Sequence, residues 1–474
     1  MKSPEHVTRT EKDSLGPMEV PVEAYYGAST ARAIQNFPIS KERFPRAFIK
    51  AMGLIKGTAA EVNAELGLLD RKIADAIVKA AKEVADGALD DQFPIDIYQT
   101  GSGTSTNMNA NEVIANRAAE ILGAARGTKA VHPNDHVNIC QSSNDVIPTA
   151  IHVSALLMIR DELYPALDEL ESALRGKAKA WWGIIKTGRT HLMDATPVRL
   201  GQEFQGYADQ VLQAKRRLAY AVQELGEVAL GGTAVGSGIN AHPEFASRVC
   251  AGMTAQAGIN IWETKAHFQA QQCLDAVTFA SGALKTYATA LHKIANDIRW
   301  MGSGPRAGIG ELMLPAVQPG SSIMPGKVNP VIPESVIQAC AQVVGNDVVV
   351  ALGNEGGYFE LNTMMPVMAL NLLNSISLLA AVSRNFARQC VRGLQATSVG
   401  PEMVERGLML ATALAPAIGY DAAAEVAKEA AKTGKTIREV ALARGLLSEE
   451  KLKELLHPEL MTEPGVRGIP GGGL

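Results

Sequence analysis

One short segment, residues 320–330, combines groups that could bind a negatively charged substrate. It reads Gly-Ser-Ser-Ile-Met-Pro-Gly-Lys-Val-Asn-Pro, and its prolines and glycines exclude regular helix and strand. What remains is a loop with the hydroxyls of Ser321 and Ser322, the ammonium of Lys327 and the amide of Asn329. Glycines also expose backbone N–H groups that can line an anion site. The loop is therefore suited to binding a carboxylate and to stabilising an enolate-like charge.

The residues after this loop predict a helix whose N-terminus points back at it. Pro330 and Pro333 lead into an apolar run, and Glu334 lies in the first predicted turn. The N-terminal end of a helix carries a partial positive charge, which adds to the attraction of the loop for an anion.

Three further loops are rich in serine, threonine, asparagine and histidine, and helical patterns separate them along the chain. Hydroxyls and N–H groups at a helix entrance suit an oxyanion, although the same residue types are also favoured as ordinary N-caps. One pocket could collect these loops only if helices bring their ends together, within a subunit or between subunits. The candidate residues are Ser102, Gly103 and Thr104 in 100–106, Ser142, Ser143 and Asn144 in 132–144, and Thr190 and His191 in 188–197.

Long helical patterns dominate the rest of the chain, so the sequence predicts a mainly α fold. Strand patterns are nearly absent, and long helices joined by short loops indicate a helical bundle. Thr436 and Ser448 have the sequence context of helix N-caps. The predicted helices are 46–69, 71–89, one starting near Asn109, 145–187, 201–225, 244–300 with a break, 334–352, 361–393, and shorter ones after Val399.

Composition limits the classes of function. The net charge is −4, so no global field attracts nucleic acid or an anionic membrane. The five cysteines form no Cys-x-x-Cys pair, which indicates reduced thiols in a cytoplasm-like compartment and argues against a thiolate-bound metal. The longest uncharged run, 361–383, contains asparagine, serine and proline, which favours a buried bundle helix over a membrane span.

The segment 320–330 matches the signature loop of the fumarase/aspartase superfamily. All four loops match the class II fumarase pattern in order. The similarity begins at Glu11-Lys-Asp-Ser-Leu-Gly and Tyr25-Tyr-Gly-Ala-Ser-Thr, and it extends to the helices after Pro401. The chain therefore resembles class II fumarases over nearly its whole length.

This resemblance implies a three-domain fold, with domains 1–141, 142–398 and 399–474. The central domain is expected to be a bundle of long helices that forms the core of a homotetramer, with each active site drawn from three subunits. The net charge, the separated cysteines and the absence of metal-ligand patterns predict that no cofactor, metal, nucleic acid or membrane is a partner, and that the enzyme is cytoplasmic.

By the same resemblance, the expected reaction is the reversible hydration of fumarate to L-malate. Ser321 is expected to be the base that removes a proton from carbon, with Lys327 and the loop N–H groups stabilising its oxyanion. His191, oriented by Glu334, is expected to protonate the departing hydroxyl or to activate water. The expected substrate-binding residues are Ser102, Gly103, Thr104, Ser142, Ser143, Asn144, Thr190, Ser322, Lys327 and Asn329.

Class II fumarases also have a second anion site in a His-Pro-Asn-Asp turn, which corresponds here to His132, Asn134 and Asp135. Relatives have an arginine three residues before the histidine, whereas this chain has Lys129. Lysine lacks the bidentate fork of arginine, so weaker anion binding is expected there. A metal site at His132 and His136 is disfavoured, because no His-Glu-x-x-His pattern accompanies the pair.

Two alternative functions remain at this point. An aspartate ammonia-lyase would share the fold and the serine loop, and Val331-Ile-Pro-Glu has an aspartase-like appearance. Against it, Gln99-Thr-Gly-Ser-Gly-Thr, Phe359-Glu-Leu-Asn and His191 resemble fumarases. A non-catalytic structural protein on this fold is disfavoured because the residues expected to perform the chemistry are all present.

Overall fold

The computed structural model describes residues 7–465, and helices dominate them, as the sequence predicts. The first helices are α1 Ala28–Asn36, α2 Arg46–Glu65, α3 Arg71–Asp86, α4 Thr104–Ile121, α5 Ser143–Met158, α6 Tyr164–Ala180, α7 Leu200–Gly226, α8 Phe245–Ala257 and α9 His267–Gln272. The remaining ones are α10 Asp275–Met301, α11 Val331–Asn354, α12 Met365–Gln389, α13 Val399–Val404, α14 Ala415–Ile418, α15 Tyr420–Thr433, α16 Ile437–Ala443 and α17 Glu449–Leu455. Two π-helical turns, Pro133–Val137 and Ile159–Leu163, precede α5 and α6.

The strands of the described residues form two-stranded sheets only. They are β1 Thr8–Asp13, β2 Gly16–Pro21, β3 Ile185–Thr190, β4 Met193–Arg199, β5 Glu227–Val228, β6 Trp262–Glu263, β7 Leu312–Met313, β8 Gly357–Tyr358, β9 Leu361–Asn362 and β10 Gln395–Ala396. β1 pairs with β2, β3 with β4, β8 with β9 and β7 with β10 in antiparallel register, and β5 with β6 in parallel.

Several predicted helix boundaries are wrong; the helix predicted over 361–393, for example, begins at Met365, because Leu361 and Asn362 pair with β8. Helix α4 begins at Thr104 instead of near Asn109, because the side chain of Gln99 accepts hydrogen bonds from the N–H and the hydroxyl of Thr106 and so caps the first turn. The helix predicted over 145–187 ends at Ala180, because residues 185–187 pair with β4 instead.

The chain divides into two compact units assembled from separate segments. The first comprises the residues up to Pro165, Ala214–Thr289 and Ala339–Ala380. The second comprises Ala166–Gln213, Ala290–Gln338 and the residues from Ala381 onward. The division into three consecutive domains at residues 141 and 398 stays a prediction.

Helix α2 lies at the centre of the first unit, where it packs against α3, α5 and α8. Its Phe48, Met52 and Ile55 are completely buried. Gly53 allows α3 to come close, because a Cβ atom there would lie 2.7 Å from the carbonyl oxygen of Ala81. Helix α4 in turn packs on α3 and α5. The N-terminal ends of α4 and α5 are thus carried by a tightly packed helical layer.

Side-chain hydrogen bonds and ion pairs join the long helices within each unit. In the first unit α10 is bonded to α11 and α11 to α12. In the second unit α6 is bonded to α7, α7 to α10, and α12 to α6. The bonded pairs are Ser281–Asp347 (2.8 Å), Asn346–Ser375 (3.0 Å), Arg175–Asp209 (3.0 Å), Tyr207–Asp297 (3.0 Å) and Arg388–Glu169 (2.8 Å).

The second unit ends in short helices around an apolar cluster that includes Leu414, Val426 and Val440. Thr436 caps α16 in a reciprocal capping box with Glu439, as predicted. Ser448 caps α17, also as predicted.

Two helices, Val331–Asn354 and Met365–Gly393, are long and apolar enough to cross a membrane by length and composition alone. The core helices of soluble proteins pass the same test. In the second helix 61% of the apolar window is buried inside the protein, compared with 39% in the first.

Candidate active site

A continuous chain of hydrogen-bonded side chains links the N-terminal ends of α4 and α5 in the first unit. The hydroxyls of Ser102 and Thr104 share a bond of 2.8 Å, and those of Thr104 and Ser143 share one of 2.7 Å. The Ser143 hydroxyl also donates to the Oδ1 atom of Asn144 at 3.3 Å. Helix N-termini present unpaired N–H groups and positive dipole ends, so this hydroxyl chain is suited to holding a carboxylate.

Close backbone packing positions the entrance of α4. Gly103 has a φ angle of +71°, and a Cβ atom there would lie 2.9 Å from the Ile147 side chain of α5. A Cβ atom on Gly101 would lie 1.8 Å from the carbonyl oxygen of Thr363. Both positions therefore require glycine, and Gly103 acts by allowing this packing.

Asp145 was not among the predicted site residues, yet it organises the entrance of α5. It is 0% exposed and closes a reciprocal capping box with Ser142, whose N–H donates to Oδ1 at 2.9 Å. The N–H groups of Gly231 and Thr233 donate to Oδ2 at 3.0 and 3.1 Å. The Ser-x-x-Asp capping-box spacing is a sequence signal that identifies its local role, but not its bonds to the distant loop.

The signature loop of the second unit, residues 320–330, closes on itself. The Gly320 N–H donates to the carbonyl oxygen of Lys327 at 2.9 Å, and the Asn329 amide donates to the carbonyl of Gly320. A Cβ atom on Gly320 would lie 2.2 Å from the Lys327 carbonyl oxygen, so the closure requires glycine. Helix α11 follows with Glu334 in its first turn, as the sequence predicts.

Ser321, the predicted base, accepts two backbone hydrogen bonds within this loop. The N–H groups of Ile323 and Met324 donate to its Oγ at 3.2 and 2.8 Å. Donors aimed at one oxygen stabilise that oxygen in its anionic form. Lys327 follows Ser321 closely in sequence, and its side chain is exposed. It forms no ion pair within 4 Å in residues 7–465.

His191 lies at the tip of the β3–β4 hairpin. His191 and Leu192 both have positive φ angles, 55° and 61°, which is the backbone geometry of a tight two-residue hairpin turn. Thr190 and His191 are exposed, as is Leu192. Within residues 7–465 no carboxylate lies within 4 Å of the His191 imidazole, so the expected partnership with Glu334 is not formed inside one chain.

Buried charges hold the base of this hairpin. Lys186 of β3 is 2% exposed and bonds Glu203 at 2.8 Å and Glu311 at 2.9 Å. Arg189 bonds the other oxygen of Glu311 at 2.9 Å. Burial raises the pKa of the Glu203 carboxyl, and the neighbouring Lys186 ammonium opposes that shift. Ion pairs therefore hold the base of the hairpin in place, whereas its tip is exposed to solvent.

The predicted second anion site lies beside a separate cavity of about 550 Å³ in the first unit. Lys129, His132 and Asn134 line the cavity, whereas Asp135 does not. The His132 Nδ1 atom accepts the N–H groups of Asn134 and Asp135 at 3.3 and 3.0 Å, and it lies 3.2 Å from the Asp135 carboxylate. Glu11 and Glu112 also line this cavity, which reduces its attraction for anions.

Among residues 7–465 the structure contains no group of three or more His, Cys, Asp or Glu side chains arranged to hold a metal ion.

Comparisons with known proteins identify the family. A family model described as "Lyase" matches residues 16–345, and one described as "Fumarase C C-terminus" matches residues 410–463. A class II fumarate hydratase of Halobacterium salinarum is 54% identical over 459 residues, covering 97% of this chain and 98% of the relative. Class II fumarate hydratase 2 of Bradyrhizobium diazoefficiens is 52% identical over 466 residues, covering 98% of both chains.

The fold agrees with these matches. The crystal structure of a class II fumarase from Schistosoma mansoni aligns with a TM-score of 0.95 and 40% sequence identity, over 96% of this chain and 99% of that one. The chain therefore belongs to the lyase family of the class II fumarate hydratases.

Proposed function

We propose that this chain catalyses the reversible hydration of fumarate to L-malate. The relatives described above are named fumarate hydratases, which favours this reaction over the deamination of aspartate. The structural observation that carries the proposal is the Ser321 hydroxyl, which accepts two backbone N–H bonds in the signature loop. Removing a weakly acidic proton from carbon needs a strong base, and these donors favour the serine oxyanion.

In the dehydration direction the substrate carboxylates bind to neutral and cationic donors. The hydroxyl chain at the ends of α4 and α5 supplies neutral donors, which are the side chains of Ser102, Thr104 and Asn144. Lys327 supplies the full positive charge, assisted by Asn329 and Ser322. A carboxylate that becomes more negative during the reaction is stabilised more strongly than in the ground state, which is the requirement for catalysis.

Two proton transfers complete the reaction. The Ser321 oxyanion takes the proton from the carbon next to one carboxylate, and the electron pair moves into that carboxylate. The C–O bond to the neighbouring carbon then breaks. His191 donates a proton to the departing hydroxide, which leaves as water. In the reverse direction His191 activates water for addition to fumarate, and Ser321 returns its proton to carbon.

A homotetramer in which three subunits share each site accounts for the exposed groups of the single chain. Among residues 7–465, His191 and Glu334 form no ion pair with each other, so a partner subunit is proposed to bring them together. Phe279, Val348 and Leu352 of the long helices are 50%, 54% and 56% exposed, which is typical of an interface between subunits. We also expect a cytoplasmic enzyme acting in the tricarboxylic acid cycle.

The proposed function is tested by the absorbance of fumarate formed from L-malate and from L-aspartate. We expect rapid formation from L-malate and almost none from L-aspartate. Rapid release of ammonia from L-aspartate would replace the hydratase by an ammonia-lyase. The absence of turnover with either substrate would favour a structural protein.

A further inference from the structure

Lys56 of α2 is a completely buried lysine to which the proposed reaction gives no role. Its side chain is 0% exposed, and its Nζ atom donates to the Oδ1 atom of Asn138 at 2.9 Å. It forms no ion pair within 4 Å in residues 7–465. A buried ammonium is strongly unfavourable unless nearby charges and hydrogen bonds compensate it, so its surroundings show what it does.

Asn138 connects Lys56 to both helices that carry the hydroxyl chain. Its Oδ1 atom also accepts hydrogen bonds from Asn107 and Asn111 of α4, at 3.3 and 3.2 Å. Its Nδ2 atom donates to the carbonyl oxygen of Gln141 at 3.0 Å, directly before the Ser142 cap of α5. One amide therefore joins Lys56 to the body of α4 and to the entrance of α5.

Asp145 provides the compensating negative charge. It is also 0% exposed, and it holds both the Ser142 cap and the loop containing Gly231 and Thr233. Burial lowers the pKa of Lys56 to about 7, and the Asp145 carboxylate opposes that shift. Burial raises the pKa of Asp145, whereas its three backbone donors and Lys56 lower it. Each group thus favours the charged form of the other.

The hydrogen bonds around Lys56 also favour an ammonium over a neutral amine. A protonated lysine has three donors and no acceptor. Four buried amide oxygens nearby have no hydrogen-bond donor in the structure. They belong to Asn63 of α2, Asn107 and Asn111 of α4, and Gln141. The residues bonded to the segment 138–141 therefore hold four buried amide oxygens without a donor, and a positive charge beside this segment stabilises them better than a neutral amine does.

We propose that Lys56 is a positioning residue for the hydroxyl chain at the N-terminal ends of α4 and α5. Bonded to Asn138 and balanced against Asp145, its ammonium fixes the two helix ends and adds positive potential behind them. In this unit the predicted substrate-binding residues are serines, threonine, glycine and asparagine, which carry no charge. Lys56 therefore strengthens the binding of a dicarboxylate without touching it, and this inference rests on the proposed hydratase function.

The test compares neutral and charged replacements of Lys56. Lys56→Met keeps the length of the side chain but removes the charge, Lys56→Gln retains an N–H donor, and Lys56→Arg retains the charge. Lys50→Met is the matched control, because Lys50 lies on the same helix and is exposed. For each purified oligomer, kcat and KM for L-malate are measured, together with the inhibition constant of succinate, a dicarboxylate that does not react.

We expect Lys56→Met and Lys56→Gln to raise both KM and the succinate inhibition constant by about tenfold, as loss of one nearby charge predicts. The value of kcat should change by much less. Lys56→Arg should recover most of the affinity, and Lys50→Met should behave as the wild type.

Two outcomes would overturn the inference. One is unchanged succinate inhibition in the neutral variants. The other is failure of both neutral variants to fold, detected by circular dichroism and light scattering, because the lysine would then serve stability alone. Wild-type turnover is measured in the same assay, so an inactive wild type rejects the proposed function, whereas an active wild type with unaffected variants rejects only the role of Lys56.

Discussion

The hydroxyl chain at the ends of α4 and α5, expected to bind the substrate, and the residues expected to move protons lie in regions that are built differently. The hydroxyl chain at the ends of α4 and α5 is buried and cross-linked, with Ser102 and Ser143 only 7% and 8% exposed. The signature loop and the β3–β4 tip are open, with Ile323 83% and Leu192 71% exposed. The first region is shaped by the fold of one chain. The second presents its groups outward, as expected if partner subunits complete it.

The largest effect is expected in the open region, at the signature loop. Ser321→Ala removes the oxygen that accepts the two N–H donors, so kcat for L-malate should fall by about 10⁴-fold, the upper range for loss of a general base. The inhibition constant of succinate and the oligomeric state should remain unchanged, because Lys327 and Asn329 are retained. Steady-state kinetics and light scattering provide the measurement. Turnover near the wild-type rate would remove Ser321 from the role of base.

The next effect is expected at the other open element, the hairpin tip. Hydroxide is a poor leaving group that needs a proton, whereas ammonium leaves without one, so a hydratase needs an acid at this position. His191→Gln should lower kcat for L-malate by about 10³-fold while KM changes little. A variant that dehydrates L-malate normally would show that the imidazole has no part in the chemistry.

In the buried region a substitution should alter binding and stability instead of the chemical step. Gly103→Ala places a Cβ atom 2.9 Å from Ile147 at a φ angle of +71°, which should cost about 1–3 kcal/mol of unfolding free energy. Because the α4 entrance shifts, KM for L-malate should rise by about tenfold. Denaturant unfolding and steady-state kinetics measure the two effects.

The matched control for this substitution is Gly123→Ala. Gly123 also has a positive φ angle, +84°, but no atom lies within 4 Å of the added Cβ position. It should lose stability through backbone strain alone and retain the wild-type KM. If KM rose equally in both variants, the contact between Gly103 and Ile147 would not be the cause of the rise.

The smallest effect is expected at the turn beside the separate cavity. His132→Asn should change kcat and KM for L-malate by less than about threefold, because an asparagine oxygen can accept the N–H groups that Nδ1 accepts now. Steady-state kinetics on L-malate is again the measurement. A loss as large as that of Ser321→Ala would assign His132 to the chemistry.

The long helices and the types of site residue could be read from the sequence, because apolar periodicity and short motifs are local signals. The β3–β4 hairpin could not. Its first strand, Ile-Lys-Thr-Gly-Arg-Thr, has no apolar alternation and is held by pairing with β4 and by the buried Lys186. The sequence therefore predicts helix through residue 187, where the structure has the first strand of the hairpin that carries His191.

Bonds between distant parts of the chain were equally inaccessible. Asp145 bonds Gly231 across 86 positions, and Lys56 bonds Asn138 across 82. Nothing local marks either pair, because the packing of α2, α4 and α5 decides which buried polar groups meet. The sequence identifies the hydroxyls that are proposed to bind the substrate, whereas the groups that hold them in place emerge only from the fold.

The most direct test of a site completed by partner subunits is complementation between two inactive chains. Ser321→Ala and His191→Gln chains are co-expressed with different affinity tags, mixed oligomers are isolated through both tags, and fumarate formation from L-malate is measured. If the two residues of one site come from different subunits, random 1:1 mixing should restore about one quarter of the sites. Mixed oligomers with no activity above the sum of the two parent variants would contradict a site shared between subunits.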